Sequence, residues 1–162
     1  MIYEVEGDIM MSRAQAIVHG VAVNDSMIRG FAHKVQQQFP TLVADYKAWC
    51  EEASPEPGEI WLWSEPGSQQ VINLVIHDAD DDPTRMRRPD RIALNRSFRA
   101  LNRLVLDERI KSLAMPMVGS GEFGLDWHEV KGMMDAQLGN LLIPIFVYTE
   151  HLEGQVAFEP GM

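Results

Sequence analysis

The chain has 162 residues, of which 46% are apolar, and this length and composition suit a single domain with one core. Its formal net charge of −10 disfavours broad nucleic-acid binding, because non-specific affinity for a phosphate backbone comes from a surplus of Lys and Arg. The sequence offers no apolar run of the roughly 20 residues that a spanning helix needs and no signal-like basic start, so we expect a cytoplasmic protein that does not associate with membranes.

Apolar residues recur along the first half of the chain with two different periods. The pattern predicts strands over residues 2–6 and 16–20. Between Ile28 and Phe39, apolar side chains recur at spacings of three, four and four residues, which predicts a helix that ends at the following proline. A second, short helix is expected over residues 42–52.

Strands and helices continue to alternate in the second half of the chain. By the same criteria we predict strands over residues 59–63, 71–76, 112–116 and 143–148 and helices over residues 94–105 and 126–138. We also predict that residues 78–91 form a polar connection and that residues 151–162 form a tail. Strands separated by helices predict an α/β sandwich around a central mixed or parallel sheet. In such sheets ligands bind at the loops that leave the carboxyl ends of strands, here the loops after His19 and Pro116.

The loop after Pro116 contains three glycines, Gly119, Gly121 and Gly124, before a helix that Asp126 could cap. Glycine tolerates positive φ and lets the backbone approach a phosphate, so that successive N–H groups can point at one anion. This composition favours a diphosphate cradle over a tight turn in which glycine serves only to avoid steric clashes.

The same glycines also match the G-x-G-x-x-G fingerprint of dinucleotide-binding proteins, with Glu150 at the end of the next strand as a ribose-binding acid. A Rossmann-type redox protein is therefore an alternative. This alternative is less favoured, because a Rossmann fold carries the fingerprint in its first βα turn and its other strands follow. Here only one predicted strand follows the helix after the fingerprint.

The sequence resembles the macrodomain family in several segments. Residues 114–127 resemble the second ligand loop of macrodomains, residues 19–32 resemble their first loop, and residues 7–9 resemble their adenine-binding opening. The resemblance covers residues 1–150 and leaves residues 151–162 as a C-terminal tail. It implies a three-layer α/β/α fold with a central mixed sheet, which binds ADP-ribose or ADP-ribosylated protein or nucleic acid. We expect a monomer that needs neither a cofactor nor a metal.

This resemblance also implies a role for individual residues. Asp8 should bind the adenine amino group and Ile9 the ring, while Tyr148 frames the adenine side. Asn24 and Gly30 should lie near the distal ribose. The loop that should hold the diphosphate through backbone N–H groups consists of Gly119, Ser120, Gly121, Glu122 and Phe123.

The chain departs from the family at positions that matter for catalysis. Macrodomain glycohydrolases use a lysine after the strand that corresponds to residues 71–76, and one group adds an aspartate in the second loop. Here these positions hold His77 and Phe123, and Ile28 stands where a glycine is usual in the first loop. These departures disfavour a lysine-based glycohydrolase and leave a non-catalytic ADP-ribose reader as an alternative.

The phosphatase branch of the family shares with this chain the second loop and a histidine at the end of the second strand, here His19. Histidine titrates near neutral pH, so His19 could act as general acid or base toward ADP-ribose 1″-phosphate, assisted by Asp25 or His77. Removal of ADP-ribose from modified macromolecules is the other hydrolytic possibility.

An acidic run at residues 78–82 precedes Arg85, Arg87, Arg88 and Arg91. Consecutive aspartates seldom converge on one cation, so we expect a locally salt-bridged loop rather than a metal site.

Overall fold

The computed structural model of the protein describes residues 1–79, 89–120 and 124–162. Within these residues the chain alternates between strands and helices, as the sequence predicts. The strands are β1 (Ile2–Gly7), β2 (Ala16–Ala22), β3 (Ile60–Trp63), β4 (Gln70–His77), β5 (Leu113–Pro116) and β6 (Ile145–His151). The α-helices are α1 (Gly30–Gln38), α2 (Leu42–Ala53), α3 (Arg91–Glu108) and α4 (Trp127–Leu138), and a 3-10 turn spans Ile9–Met11.

The strands described form one mixed sheet in the order β1-β6-β5-β2-β4-β3. All neighbouring pairs are parallel except β3 and β4, which are antiparallel. This confirms the predicted central mixed sheet. The order differs from the 3-2-1-4-5-6 order of a Rossmann dinucleotide fold, which counts against that alternative.

Helices cover both faces of the sheet and give the three layers that the resemblance implies. Helices α3 and α4 enclose a core with β4, β5 and β6 on one face, and α1 and α2 enclose a second core on the other. The central strands β2 and β4 are buried on both faces, which is why they read as continuous apolar runs rather than as alternating ones. Among the helices described, none has the combination of length and apolar character that crossing a bilayer requires.

The start of α1 and the end of β2 differ from the predictions. Helix α1 begins at Gly30 rather than near Ile28, because Met27 has a left-handed φ of 53° and Arg29 has an extended backbone with φ −149° and ψ 161°, and neither conformation occurs inside an α-helix. Met27 is fully buried in its place, and Ile28 is 60% exposed. Strand β2 continues to Ala22, so His19 lies inside the strand and not at its end.

The tail beyond β6 packs over the end of β1. The N–H of Leu152 donates to the carbonyl of Gly7 at 3.1 Å, and the N–H of Asp8 donates to the carbonyl of Gln155 at 2.7 Å. Gly7 has a φ of 152°, and a Cβ on it would lie 2.9 Å from the Cβ of Ala157. The glycine is therefore required for this close approach, and the tail is fixed to the sheet.

Candidate ligand-binding site

A cavity of about 500 Å³ lies at the carboxyl ends of β2, β4 and β5. Its volume is in the range of small-molecule sites, and it occupies the sheet edge where the sequence predicts ligand binding. Its walls come from the first loop and the start of α1, the end of β4, Pro89 ahead of the N-cap of α3, and the second loop. They comprise residues 20–26, 28–32, 76–78, 89, 116–120 and 124.

The first loop is organised by the carboxylate of Asp25. One carboxylate oxygen accepts a hydrogen bond from the N–H of Ala22 at 2.9 Å, and the other accepts one from the N–H of Met27 at 2.8 Å. Asn24 adopts a left-handed φ of 56° beside it, and Asn24, Asp25 and Gly30 all line the cavity. A negative charge is thus held at a fixed position in the cavity wall.

The second loop turns sharply at Gly119, whose φ is 77°. A Cβ at this position would lie 2.7 Å from Cδ2 of Leu94, so a larger residue would have to displace that side chain and also adopt the left-handed φ. The N–H of Ser120 donates to the carbonyl of Met117 at 3.2 Å, and its hydroxyl donates to the same oxygen at 2.8 Å. The turn uses the N–H of Ser120 in this arrangement, and the contact of Ser120 with a diphosphate stays a prediction.

Three residues predicted to contact the diphosphate, Gly121, Glu122 and Phe123, lie outside the described residues, and so does the acidic and arginine-rich segment 80–88. Their assigned roles stay predictions.

His77 is the last residue of β4 and lines the cavity. Its carbonyl accepts a hydrogen bond from the N–H of Val23 at 3.1 Å, which ties the first loop to the end of the strand. His77 at the end of β4 and Asp25 in the loop after β2 therefore both line the cavity next to the paired ends of these two parallel strands, and Asp78 follows His77.

His19 is not brought to the cavity. Its side chain is 1% exposed, and its Nε2 lies 2.7 Å from Oδ1 of Asn73 on β4. Burial lowers the pKa of His19 from 6.5 to about 4, so the imidazole is neutral at pH 7. It packs edge-on against Phe31, with ring centroids 6.1 Å apart, and Phe31 stands in the cavity wall. His19 therefore does not line the cavity, and no contact among the described residues supports its acid–base role, which stays a prediction.

The residues assigned to the adenine side lie together but outside the cavity lining. Ile9 and Tyr148 belong to a small apolar cluster against which Phe31 packs. The carboxylate of Asp8 accepts hydrogen bonds from the N–H of Met10 at 3.1 Å and from the N–H of Gly154 at 3.0 Å. Phe31 therefore joins this cluster to the cavity, while Asp8 is already engaged by the backbone on two sides.

Tyr148 is held by the tail. Its hydroxyl lies 3.0 Å from a carboxylate oxygen of Glu159, which also accepts the hydroxyl of Ser12 at 2.6 Å. The other oxygen of Glu159 accepts the N–H of Arg13 at 2.9 Å. Burial, and next to it the charge of Glu159, raise the pKa of Tyr148, so it stays a protonated donor.

Sequence reasoning gave no individual role to most residues of the cavity wall, among them Phe31, Arg29 and Pro89. Phe31 was assigned to the buried face of a helix by its spacing, and Arg29 and Pro89 were not assigned to the site. The signal that could have revealed Phe31 is Gly30, because a helix that starts at this glycine turns its first residues toward the loop.

Comparison with known proteins agrees with this geometry. The sequence model of the Macro domain family matches residues 18–134. The chain belongs to the macro domain family. A DNA ADP-ribosyl transferase-DNA ADP-ribosyl glycohydrolase fusion protein of Thermosipho africanus is 28% identical over 157 residues, covering 89% of this chain and 40% of that protein. A DNA ADP-ribosyl glycohydrolase of Thermus aquaticus is 25% identical over 152 residues, covering 91% of this chain and 41% of that protein. This macro domain thus spans about two fifths of the length of these relatives.

Solved structures show the same fold. The macrodomain of Thermus aquaticus DarG superposes with a TM-score of 0.80 at 25% identity, covering 92% of this chain and 98% of that one. Thermosipho africanus DarTG in complex with ADP-ribose gives a TM-score of 0.81 at 25% identity, covering 96% of this chain and 43% of that one. The macro domain fold and the three-layer architecture predicted from the sequence are confirmed.

Proposed function

We propose that this macro domain binds ADP-ribose in the cavity between its two loops and removes the ADP-ribosyl group from DNA. The observation that carries the proposal is the convergence of the first loop, the end of β4 and the Gly119 turn on one cavity at the carboxyl edge of the sheet. The relatives named as DNA ADP-ribosyl glycohydrolases, and the ADP-ribose complex of a similar fold, support the choice of ligand and of macromolecule.

The cavity supplies groups suited to glycoside hydrolysis. In this reaction water adds to C1″ of the distal ribose, the bond from C1″ to the DNA base breaks, and the base takes up a proton. Positive charge develops on the ribose in the transition state, and the fixed carboxylate of Asp25 can stabilise it. His77 on the same wall can transfer the proton, since histidine titrates close to neutral pH.

The net charge of −10 shapes how DNA would be recognised. A strongly acidic protein gains little affinity from contacts with the phosphate backbone of unmodified DNA. The ADP-ribosyl group itself therefore supplies the selectivity for modified over unmodified DNA. Unmodified DNA of the same sequence should compete poorly with modified DNA.

Calorimetry with ADP-ribose, NAD and AMP in parallel tests the binding proposal. ADP-ribose should bind more tightly than the other two, because the two loops grip both the diphosphate and the distal ribose. Equal affinity for NAD and ADP-ribose would overturn the proposal.

The hydrolytic proposal needs a second assay with an oligonucleotide that carries one ADP-ribosyl group on a base. Release of ADP-ribose, measured by chromatography, supports the proposal. Binding without release supports the reader alternative, which the histidine at position 77 favours, because the resemblance associates that position with a lysine in glycohydrolases. ADP-ribose 1″-phosphate in the same assay tests the phosphatase alternative, whose expected outcome is no phosphate release because His19 is buried.

A further inference from the structure

The exposed face of α3 carries a stripe of arginines in an otherwise acidic protein. Arg96, Arg99 and Arg103 are all exposed and recur at spacings of three and four residues, which places them on one side of the helix. Ile92 and Leu106 continue the same face at either end and are 71% and 61% exposed. We call this set, from Ile92 to Leu106, the arginine stripe.

The arginine stripe starts beside the cavity. Pro89 lines the cavity, Asp90 caps the helix by accepting the N–H of Ile92 at 2.9 Å, and α3 then runs away from the cavity mouth. At a rise of about 1.5 Å per residue, Arg96 and Arg103 lie about 10 and 20 Å along the axis from Pro89. A strand that enters the cavity with one modified base therefore has its neighbouring nucleotides within reach of the stripe.

The charges of the stripe are largely uncompensated within the described residues. Arg103 lies 3.7 Å from Asp107, but both side chains are mainly exposed, at 82% and 65%, and such surface pairs are weak. Arg96 lies against Gly58, where a Cβ would come 3.2 Å from its Nε, so its position is constrained by packing. By contrast Arg91, at the start of α3, pairs with Glu129 on α4 and is not counted in the stripe.

We propose that the arginine stripe of α3 binds phosphates of the DNA strand on which the ADP-ribosyl group is carried. The inference rests on the proposed function and adds the surface that receives the rest of the substrate. Guanidinium groups contact phosphate oxygens through paired N–H donors, and three of them spaced along about 10 Å match two or three consecutive phosphates of an extended strand. The net negative charge of the whole protein keeps this contact too weak to retain unmodified DNA.

The test compares a variant of the stripe with a matched control. The stripe variant carries Arg96→Gln, Arg99→Gln and Arg103→Gln. The control carries Arg13→Gln, Lys47→Gln and Lys111→Gln, three exposed residues outside α3. Each variant loses three positive charges, so both have a formal net charge of −10 − 3 = −13.

Three ligands are compared on each protein: free ADP-ribose, an ADP-ribosylated dinucleotide and a single-stranded 12-mer with one ADP-ribosylated base. Affinity is measured by calorimetry, or kcat/KM where the ligand is turned over. The stripe variant should lose about 10-fold or more on the 12-mer and less than about 2-fold on the two short ligands, while the control keeps wild-type values. Raising salt from 50 to 200 mM should weaken wild-type binding of the 12-mer by about 20-fold, as three contacts to a single strand predict, and this dependence should largely vanish in the stripe variant.

The outcomes separate the two proposals. The role of the arginine stripe alone is overturned if the stripe variant binds free ADP-ribose normally and loses no affinity for the 12-mer. It is also overturned if the stripe variant and the control lose equal affinity for the 12-mer. A fourth ligand, ADP-ribose attached to a peptide without charged side chains, carries no phosphates beyond the diphosphate, and an equal loss of affinity for it in the stripe variant also overturns the proposal. Failure of the wild-type protein to bind free ADP-ribose overturns the proposed function, and the stripe falls with it.

Discussion

Nε2 of His19 and Oδ1 of Asn73 lie 2.7 Å apart at paired positions of the parallel strands β2 and β4. The amide of Asn73 donates in turn to the carbonyl of Trp61 on β3 at 3.2 Å. Because the amide nitrogen is the donor there, Oδ1 must accept from His19, so the proton of the neutral imidazole sits on Nε2. The other ring nitrogen, Nδ1, is buried without a partner among the described residues.

This buried pair makes the stability of the fold depend on pH. The pKa of His19 falls from 6.5 to about 4 on folding because burial disfavours the charged ring, so below pH 6.5 the unfolded chain binds a proton that the folded chain does not. Stability is therefore lost as the pH falls from 6.5 to about 4, by about 2 kcal/mol at pH 5. Urea unfolding at pH 7 and pH 5 measures this loss. His19→Gln keeps a hydrogen-bonding amide without a titrating group, and an unchanged pH dependence in that variant would contradict the assignment.

The turn at Gly119 provides a test of the second loop. Gly119→Ala forces a side chain into a left-handed conformation and against Leu94, so it should lower the free energy of unfolding by about 2 to 4 kcal/mol and weaken ADP-ribose binding. Thermal unfolding and calorimetry measure the two effects. Gly132→Ala is the control, since Gly132 lies within α4 with nothing within 4 Å of the added Cβ, and it should raise stability by about 0.5 to 1 kcal/mol. Equal effects of the two substitutions would show that the Leu94 contact is not restrictive.

The role of Asp8 must be separated from that of the tail it holds. Asp8→Ala should weaken ADP-ribose binding by about 1 to 3 kcal/mol if its carboxylate also accepts the adenine amino group. The same substitution releases the N–H of Gly154, which could loosen the tail. Glu159→Gln weakens the attachment of the tail at Ser12, Arg13 and Tyr148 without touching Asp8. Hydrogen exchange of residues 152–157 should rise in both variants, whereas ADP-ribose affinity should fall only in the first; a similar fall in both would remove Asp8 from the adenine site.

His77 is the residue on which turnover should depend. His77→Ala should lower the rate of ADP-ribose release from the modified oligonucleotide by about 10² to 10⁴, the usual contribution of general acid–base catalysis, with little change in ADP-ribose affinity. His19→Gln serves as the comparison, because a buried histidine behind Phe31 should leave release within a few fold of wild type. A larger effect at His19 than at His77 would reverse the roles proposed for them.

The fold was predictable from the sequence where one physical effect dominated. Central strands that are buried on both faces leave continuous apolar runs, and α3 buries one face of a long helix, so periodicity alone identifies them. The glycines of the second loop also predicted the cavity edge, because glycine favours the left-handed turn that Gly119 makes.

The arrangement of the site was less predictable. His19 reads as a reactive residue by type, and only tertiary packing shows that Asn73 and Phe31 enclose it. Ile28 matched a helical spacing, but the left-handed φ of Met27 redirected the chain, and such a conformation at a methionine has no sequence signature. The tail has a weak apolar pattern because polar contacts supply much of its attachment, namely the backbone hydrogen bonds at Leu152 and Gln155 and the carboxylate of Glu159.

The contact between Gly119 and Leu94 ties the second loop to the helix that bears the arginine stripe. Leu94 is fully buried under the loop and belongs to the first turn of α3, so a displacement of the helix start shifts the support on which the loop rests. We therefore expect occupancy of the cavity and occupancy of the outer face of α3 to be linked in free energy, and such a linkage is the same in both directions. A DNA strand bound to α3 should raise the affinity of the cavity for ADP-ribose. Bound ADP-ribose should raise the affinity of α3 for the strand by the same factor.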